Sequence, residues 1–281
     1  MGIDTAAAQL LLLARSKLDF DPSQAIIFGH QKNYVGPLLK KSMRRNLGSV
    51  VANLESTYAD GFFKALGIQQ LDVLDISDYE GANVIHDLNL ELPPTLKRYS
   101  LVIDIGTLEH IFDIAQGLQN IKDLCLPGGY VLMLNPANNW LGHGFYQLSP
   151  ELLFRNFDES FGWEVKDMYL VRKNLLRVAW YRISDPKVKQ RRGNIHSKGS
   201  TYVGVIARKM KDSDVAAKVQ QSDYVKAWES QTTSRAGNIY LSLPKTIRLL
   251  LDVTVMELLT RRRGRLSRQR FYWKEGRLNL R

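Results

Sequence analysis

Four of the five histidines, His30, His86, His110 and His143, stand at or just after the ends of short apolar runs. Carboxylates keep them company. Asp75 lies in "LDVLDIS", Asp87 follows His86, and Glu109 precedes His110 in "YSLVIDIGTLEHIFD". A carboxylate at a strand tip can accept the hydroxyl protons of a ribose. A histidine titrating near neutrality can take the proton of an acceptor hydroxyl. Any single histidine here is as easily an ordinary loop residue; the strand ends taken together read as a site. The histidines are scattered, with no paired carboxylate–histidine spacing, so no metal is expected. No GxxxxGK[ST] phosphate loop and no nucleophile elbow occurs.

Such side chains need a scaffold that brings strand ends together, and the order of elements supplies one. Short apolar runs at 24–30, 71–77, 82–88, 100–106 and 128–136 read as buried strands. Helical spacing covers 35–67, with a break near Gly48, and 110–125. A further helix is expected at 151–160, begun by Pro150 with Ser149 as cap. The strands 163–172 and 201–209 close the domain as an antiparallel edge hairpin, with 173–200 inserted at its tip. The expected fold is α/β: a Rossmann-like, doubly wound, mostly parallel seven-stranded sheet. In such a sheet ligands sit beyond the carboxyl ends of the strands, at the switch in strand order.

The chain has 281 residues, 44% of them hydrophobic, which is enough for one large domain with an appendage. Three segments are expected: an N-terminal amphipathic helix in 1–23 capped near Asp4 or Thr5, a domain over 24–210, and a helical, basic extension over 211–281. The single cysteine, Cys125, lies in an apolar stretch and is expected to be buried and inert. The first residues lack the charge and cleavage pattern of a signal peptide, and no apolar run reaches membrane-spanning length, so a cytoplasmic protein is expected. Of the net charge of +11, eight come from residues 261–281, so basicity belongs mainly to a tail. With the apolar helix expected over 244–263, that tail suits contact with an anionic membrane surface. Nucleic acid through arginine and "RFYWK" is the less favoured partner, and a solvated tail packed on the domain is the plain alternative.

The stretch "YSLVIDIGTLEHIFDIAQGLQNIKDLCLPGGYVLMLNP" resembles the second half of a class I S-adenosylmethionine-dependent methyltransferase of the small-molecule type. The likeness is carried by Leu108-Glu109-His110 after one strand and Leu126-Pro127-Gly128-Gly129 before the next. "VIHDLNLELP" is similar to that family's third strand. The resemblance implies S-adenosylmethionine as cofactor, with Asp75 on the ribose and Asp87, beside Leu88, at the adenine. It also implies that Gly29, His30 and the turn Asp104–Thr107 line the cofactor's other end. The glycine-rich loop departs from the pattern: "FGHQKN" keeps only Gly29, and His30 and Gln31 occupy the room that glycines leave open. For Gly29 a plain turn role and a binding role both stand.

The loop "NPANNWLGHGFYQLSP" after the fifth strand is polar, aromatic and glycine-bearing. One reading is an ordered plug at the sheet edge. The other is an acceptor pocket in which His143 acts as general base and Tyr146 faces the acceptor. His110 is then the second candidate for base, or a structural partner of Glu109. The acceptor is expected to be a small molecule or glycan-like group. Methyl transfer is an in-line displacement that gains most from alignment, so a base is optional.

Overall fold

The computed structural model describes residues 2–19, 21–47, 56–174, 177–189, 197, 199–213, 219–230, 267–269, 271–274 and 277–280. The expected helix over 244–263 and the basic run 261–266 lie outside the described residues.

The chain opens with β1 (Gly2–Asp4) and α1 (Thr5–Lys17). Asp4 caps the helix, its carboxylate accepting from the amides of Ala6 and Ala7. α1 departs from the amphipathic expectation. Ala6, Ala7, Ala8 and Leu10 to Ala14 are all buried, so the helix is enclosed on most sides and belongs to the main core. There follow β2 (Ala25–Phe28), β3 (Lys32–Tyr34), α2 (Pro37–Leu47), α3 (Asp60–Ala65), β4 (Leu71–Asp75) and β5 (Val84–Ile85). Then come β6 (Tyr99–Ile105), a 3-10 turn (Leu108–His110), α4 (Ile114–Leu124), β7 (Cys125–Asn138) and α5 (Pro150–Asn156). β8 (Trp163–Asn174), β9 (Arg177–Arg182), α6 (Pro186–Lys189), β10 (Thr201–Lys209) and α7 (Ser222–Ser230) complete the body. Three short strands end the chain: β11 (Ser267–Gln269), β12 (Phe271–Lys274) and β13 (Arg277–Leu280).

Among the described residues nine strands, against the seven expected, form the main sheet, in the order β11-β9-β8-β10-β7-β6-β2-β4-β5. The five strands from β7 to β5 are parallel to one another. Counted in sequence order within that block, they run 3-2-1-4-5, the doubly wound arrangement with its switch between the first and fourth strands, here β2 and β6. The Rossmann-like α/β fold is therefore present. Two details differ from expectation. β10 does pair antiparallel with β8, but it also pairs with β7 and so lies inside the sheet, not at its edge. The inserted segment supplies β9, which extends the sheet beyond β8, and β11 from the C-terminal extension adds to β9. The extension is thus joined to the domain's sheet through one strand. β12 and β13 form a separate antiparallel hairpin.

Alternation along the strands builds two cores. Ala25 and Ile27 of β2, Leu101, Ile103 and Ile105 of β6, and Leu132 and Leu134 of β7 face the layer of α1 and α3. Ile26, Phe28, Val102, Val131 and Met133 face the layer of α4 and α5. Two polar residues share the parity of this second set, Asp104 on β6 and Asn135 on β7, and both are fully buried at the carboxyl ends of adjacent strands. Cys125 is buried as expected, and burial pushes its thiol up to about 12. At the opposite end of the sheet, Lys209 donates to the carbonyls of Lys122 and Cys125 at 2.8 and 2.9 Å. A cleft of about 480 Å³ opens there, far from the strand tips that concern the site.

Candidate functional site

The switch between β2 and β6 has a floor made by hydrogen bonds. β2 ends at Phe28, whose carbonyl accepts from Thr107 Oγ1 at 3.0 Å and from Gln31 Nε2 at 2.8 Å. Gly29 turns the chain there with φ of 68°, a left-handed conformation in which a side chain is strained, and its amide donates to the Leu74 carbonyl of β4. The turn role of Gly29 is therefore in place. His30 swings aside: its Nδ1 meets the Glu80 carbonyl and its ring stacks on Tyr58 at 3.8 Å, the two planes nearly parallel. Gln31 folds inward and is 1% exposed. The space that further glycines would leave is used by these side chains.

On one side of the switch stand the tips of β4 and β5. Asp75 is the last residue of β4 and is half-buried; its carboxylate accepts from the Ile76 amide at 2.7 Å, and its carbonyl accepts from the His86 amide. Asp87, two residues beyond β5, accepts from the amide and side chain of Asn89 at 2.9 and 2.7 Å. These bonds hold its carboxyl below the ordinary range. Among the described residues, both carboxylates accept hydrogen bonds only from near neighbours in sequence. Leu88, by contrast, is drawn into the core on the α4 side, where Asn120 binds its carbonyl. Its side chain packs in that core.

On the other side stand the tips of β6 and β7. Gly106, at φ of 74°, lets β6 break into the 3-10 turn that carries Glu109 and His110. Asp104 anchors that turn: its Oδ1 accepts from the amides of Thr107 and Leu108, and its Oδ2 accepts from Asn135 Nδ2 at 2.7 Å. Asp104 is wholly buried with both oxygens taken, so it shapes the turn. Burial raises its carboxyl to about 6, against the pull of those three donors.

Asn135 Nδ2 also reaches Glu109 Oε2, at 3.2 Å. Glu109 is 0% exposed and its Oε1 has no hydrogen-bond partner. Burial first, and the charge of Asp104 second, push its carboxyl up to about 7. Neither carboxylate is paired with a lysine or arginine among the described residues.

The loop after β7 folds back over this acid. The Glu109 carbonyl accepts from the amides of Phe145 and Tyr146, at 2.7 and 3.3 Å. Gly144 makes the approach possible: at φ of 69°, a Cβ there would lie 2.7 Å from the Glu109 carbonyl oxygen and 2.9 Å from its Cγ. Trp140 fixes the loop's other limb, its indole donating to the Thr201 carbonyl at 3.0 Å. The fold-back brings His143 Nε2 to 3.5 Å from Glu109 Oε1, and its ring meets that of His110 edge-on at 5.0 Å. Both imidazoles are exposed, and burial with the neighbouring His143 holds His110 below the usual histidine range. Tyr146 is near, but its hydroxyl donates to the Phe112 carbonyl at 2.7 Å, so it ties two loops together. Phe112 and Phe145, 71% and 65% exposed, stack edge-to-face at the rim.

The structure thus unites His110, His143 and Glu109, and it separates them from Asp75 and Asp87 by the β2–β6 switch. The sequence grouped His143 with His110 but missed the approach of His143 to Glu109. One signal pointed to it: a glycine on either side of His143, where the chain must fold back on itself.

No family model matches this chain, and no curated protein matches it in sequence. Solved structures with a similar fold are known. A Bacillus halodurans protein described as a methyltransferase is 10% identical, covering 72% of this chain and 99% of its own, with a TM-score of 0.41. The O-methyltransferase of a Brevibacillus brevis trans-AT PKS multienzyme, in complex with S-adenosyl-L-homocysteine, is 11% identical over 78% of this chain and 77% of its own, TM-score 0.39. The N-methyltransferase NodS of Bradyrhizobium japonicum WM9, also with S-adenosyl-L-homocysteine, is 13% identical over 72% and 85%, TM-score 0.38. Likeness at this level bears on neither activity nor ligand. Among the described residues, no helix is long and apolar enough to cross a membrane.

Proposed function

We propose that this chain is an S-adenosylmethionine-dependent methyltransferase acting on a hydroxyl of a small or glycan-like acceptor. The observation that carries the reading is the division of labour across the β2–β6 switch. Half-buried Asp75 and Asp87 stand at the tips of the second and third strands, where an adenosine presents its ribose hydroxyls and amino group. The Glu109–His110–His143 cluster stands at the tips of the fourth and fifth, rimmed by aromatics that suit an organic acceptor. A ligand bridging the two sides would lie in the crevice that doubly wound sheets use. Holding donor and acceptor in line there converts a bimolecular displacement into an effectively unimolecular one.

Calorimetric titration with S-adenosylmethionine tests the reading. Asp75→Ala removes a charged acceptor worth about 1.5–3 kcal/mol to its hydrogen-bond partners, so affinity should fall by roughly 10- to 100-fold. Unchanged affinity in that variant, with the intact chain binding, would place the ribose elsewhere.

A second reading has an observation of its own. His30, Gln31 and Tyr58 fill the first loop, which suits a methyltransferase-like scaffold that no longer binds cofactor. The absence of both heat and thermal shift at millimolar S-adenosylmethionine would favour the scaffold.

A further inference from the structure

Glu109, His110 and His143 each offer one donor atom, and these atoms all lie within 4.8 Å of one another. From this geometry we infer that the three side chains form a site for a zinc-class divalent cation, open on its solvent side.

Three features beyond proximity support it. The first is the state of Glu109: a fully buried carboxylate whose Oε1 has no hydrogen-bond partner and which points at the exposed His143. A buried acid without a counter-charge is costly unless something neutralises it. The second is the donor set. Two imidazoles and one carboxylate are the ligands with which zinc keeps three protein bonds and a free fourth position. The third is the support behind the acid. Asn135 holds Glu109 Oε2, leaving Oε1 to His143, and is itself fixed by buried Asp104. Polar partners of this kind orient a metal-binding group and commonly matter 10- to 100-fold to affinity.

The fit requires little movement. With metal–ligand bonds of about 2.0–2.1 Å, tetrahedral ligand atoms lie about 3.3 Å apart. His143 Nε2 and Glu109 Oε1 are already at 3.5 Å. His110 closes the remainder by turning an exposed ring.

The role at the acceptor rests on the methyltransferase reading; the cation site does not. An acceptor hydroxyl at the open position would release its proton to solvent more readily under the cation's charge. The acceptor oxygen's electron pair then forms the O–CH₃ bond while the methyl–sulfur bond breaks, its pair returning to sulfur as the neutral thioether. His143 would serve as ligand in that case, and no protein base is needed.

The test uses the untagged full chain, stripped with chelator and titrated with Zn²⁺ by calorimetry and with Co²⁺ by visible absorption. One equivalent should bind, with the d–d bands of a four- or five-coordinate site. Glu109→Gln, which keeps shape, and His143→Ala, which removes an exposed ring, should each weaken binding by more than about 100-fold, beyond the range for a supporting residue. Far-UV circular dichroism verifies that both variants fold. Failure to bind either cation at millimolar concentration overturns the inference, and so does binding that survives both substitutions. A separate titration with S-adenosylmethionine keeps the two proposals apart: cation binding without cofactor binding leaves the site standing and removes the methyltransferase.

Discussion

Removing the charge of Glu109 should stabilise the protein, and only where that charge exists. The carboxyl is displaced from 4.5 to about 7 by burial and by Asp104. A folded-state value above the unfolded one means that the folded chain binds the proton more tightly. Stability is therefore highest at low pH, falls as pH rises from about 4.5 to about 7, and then levels off. At about 1.4 kcal/mol per decade, the full cost of carrying this charge into the fold is about 3 kcal/mol. Glu109→Gln has no such charge. Its stability relative to the parent should rise with pH, by about 2 kcal/mol between pH 5 and pH 8.

The assay is urea unfolding, followed by tryptophan fluorescence, of both chains in excess chelator at half-unit intervals from pH 5 to pH 8.5. The neighbouring groups are separable. Asp104, raised to about 6, acts with the same sign in both chains, and its mutual repulsion with Glu109 is part of the difference being measured. His110, lowered by burial, acts with the opposite sign, losing stability as pH falls through the ordinary histidine range, and is also common to both. Any constant penalty for the amide shifts the whole difference curve without changing its slope. A difference between the two chains that is flat with pH would refute the claim that Glu109 is an unneutralised buried acid, and with it one support for the cation site.

Three further outcomes follow from the same geometry. Saturating Zn²⁺ should raise the parent's unfolding free energy by about 2.7 kcal/mol at a hundredfold excess over Kd, measured by urea titration, and leave Glu109→Gln unmoved. Gly144→Ala should cost at least about 1–2 kcal/mol in the same experiment, since the position is left-handed and its Cβ would press on Glu109 backbone; its Zn²⁺ affinity should fall as His143 is displaced. Thr107→Val removes the hydroxyl bond to the Phe28 carbonyl and should cost about 1 kcal/mol by thermal unfolding, with weaker S-adenosylmethionine binding because the crevice floor loosens.

The parallel strands were legible because each is a short apolar run broken by glycine or a turn. β2, β4 and β6, and the antiparallel β10, lie where that pattern puts them, within one or two residues. The helix caps at Asp4 and Ser149 were legible for a local reason too: a side-chain oxygen reaches an amide two or three residues on. Spatial order carries no such local mark. Nothing in "TYVGVIARK" distinguishes an edge strand from one lying between β7 and β8. A strand of alternating Val, Ile and Ala suits either position until both neighbours are known. α1 misled because its apolar residues cover nearly every face, and an amphipathic pattern was read into what is an enclosed helix. The internal role of Asp104 had no local mark either: its three donors, the amides of Thr107 and Leu108 and the side chain of Asn135, are known only once β6, its turn and β7 are side by side.

The link between Asp104 and Glu109 explains why two acids with no lysine or arginine partner among the described residues persist side by side in an interior. Asp104 caps the turn through two amides, and that turn sets the direction of Glu109. Asn135 donates to both carboxylates from the adjacent strand, so the position of one acid is fixed through the other. Replacing the pair with apolar residues would relieve a desolvation cost of several kcal/mol. It would also leave the amides of Thr107 and Leu108 without acceptors and release the carbonyl on which the loop 139–147 folds. The network therefore spends stability on geometry: it holds one carboxylate oxygen, bare and directed, beneath two histidines that the chain delivers from a separate loop. A structural role alone would need Asp104 and Asn135. Glu109 Oε1 has no hydrogen-bond donor among the described residues, and His143 Nε2 lies 3.5 Å from it, which is why the site is proposed there.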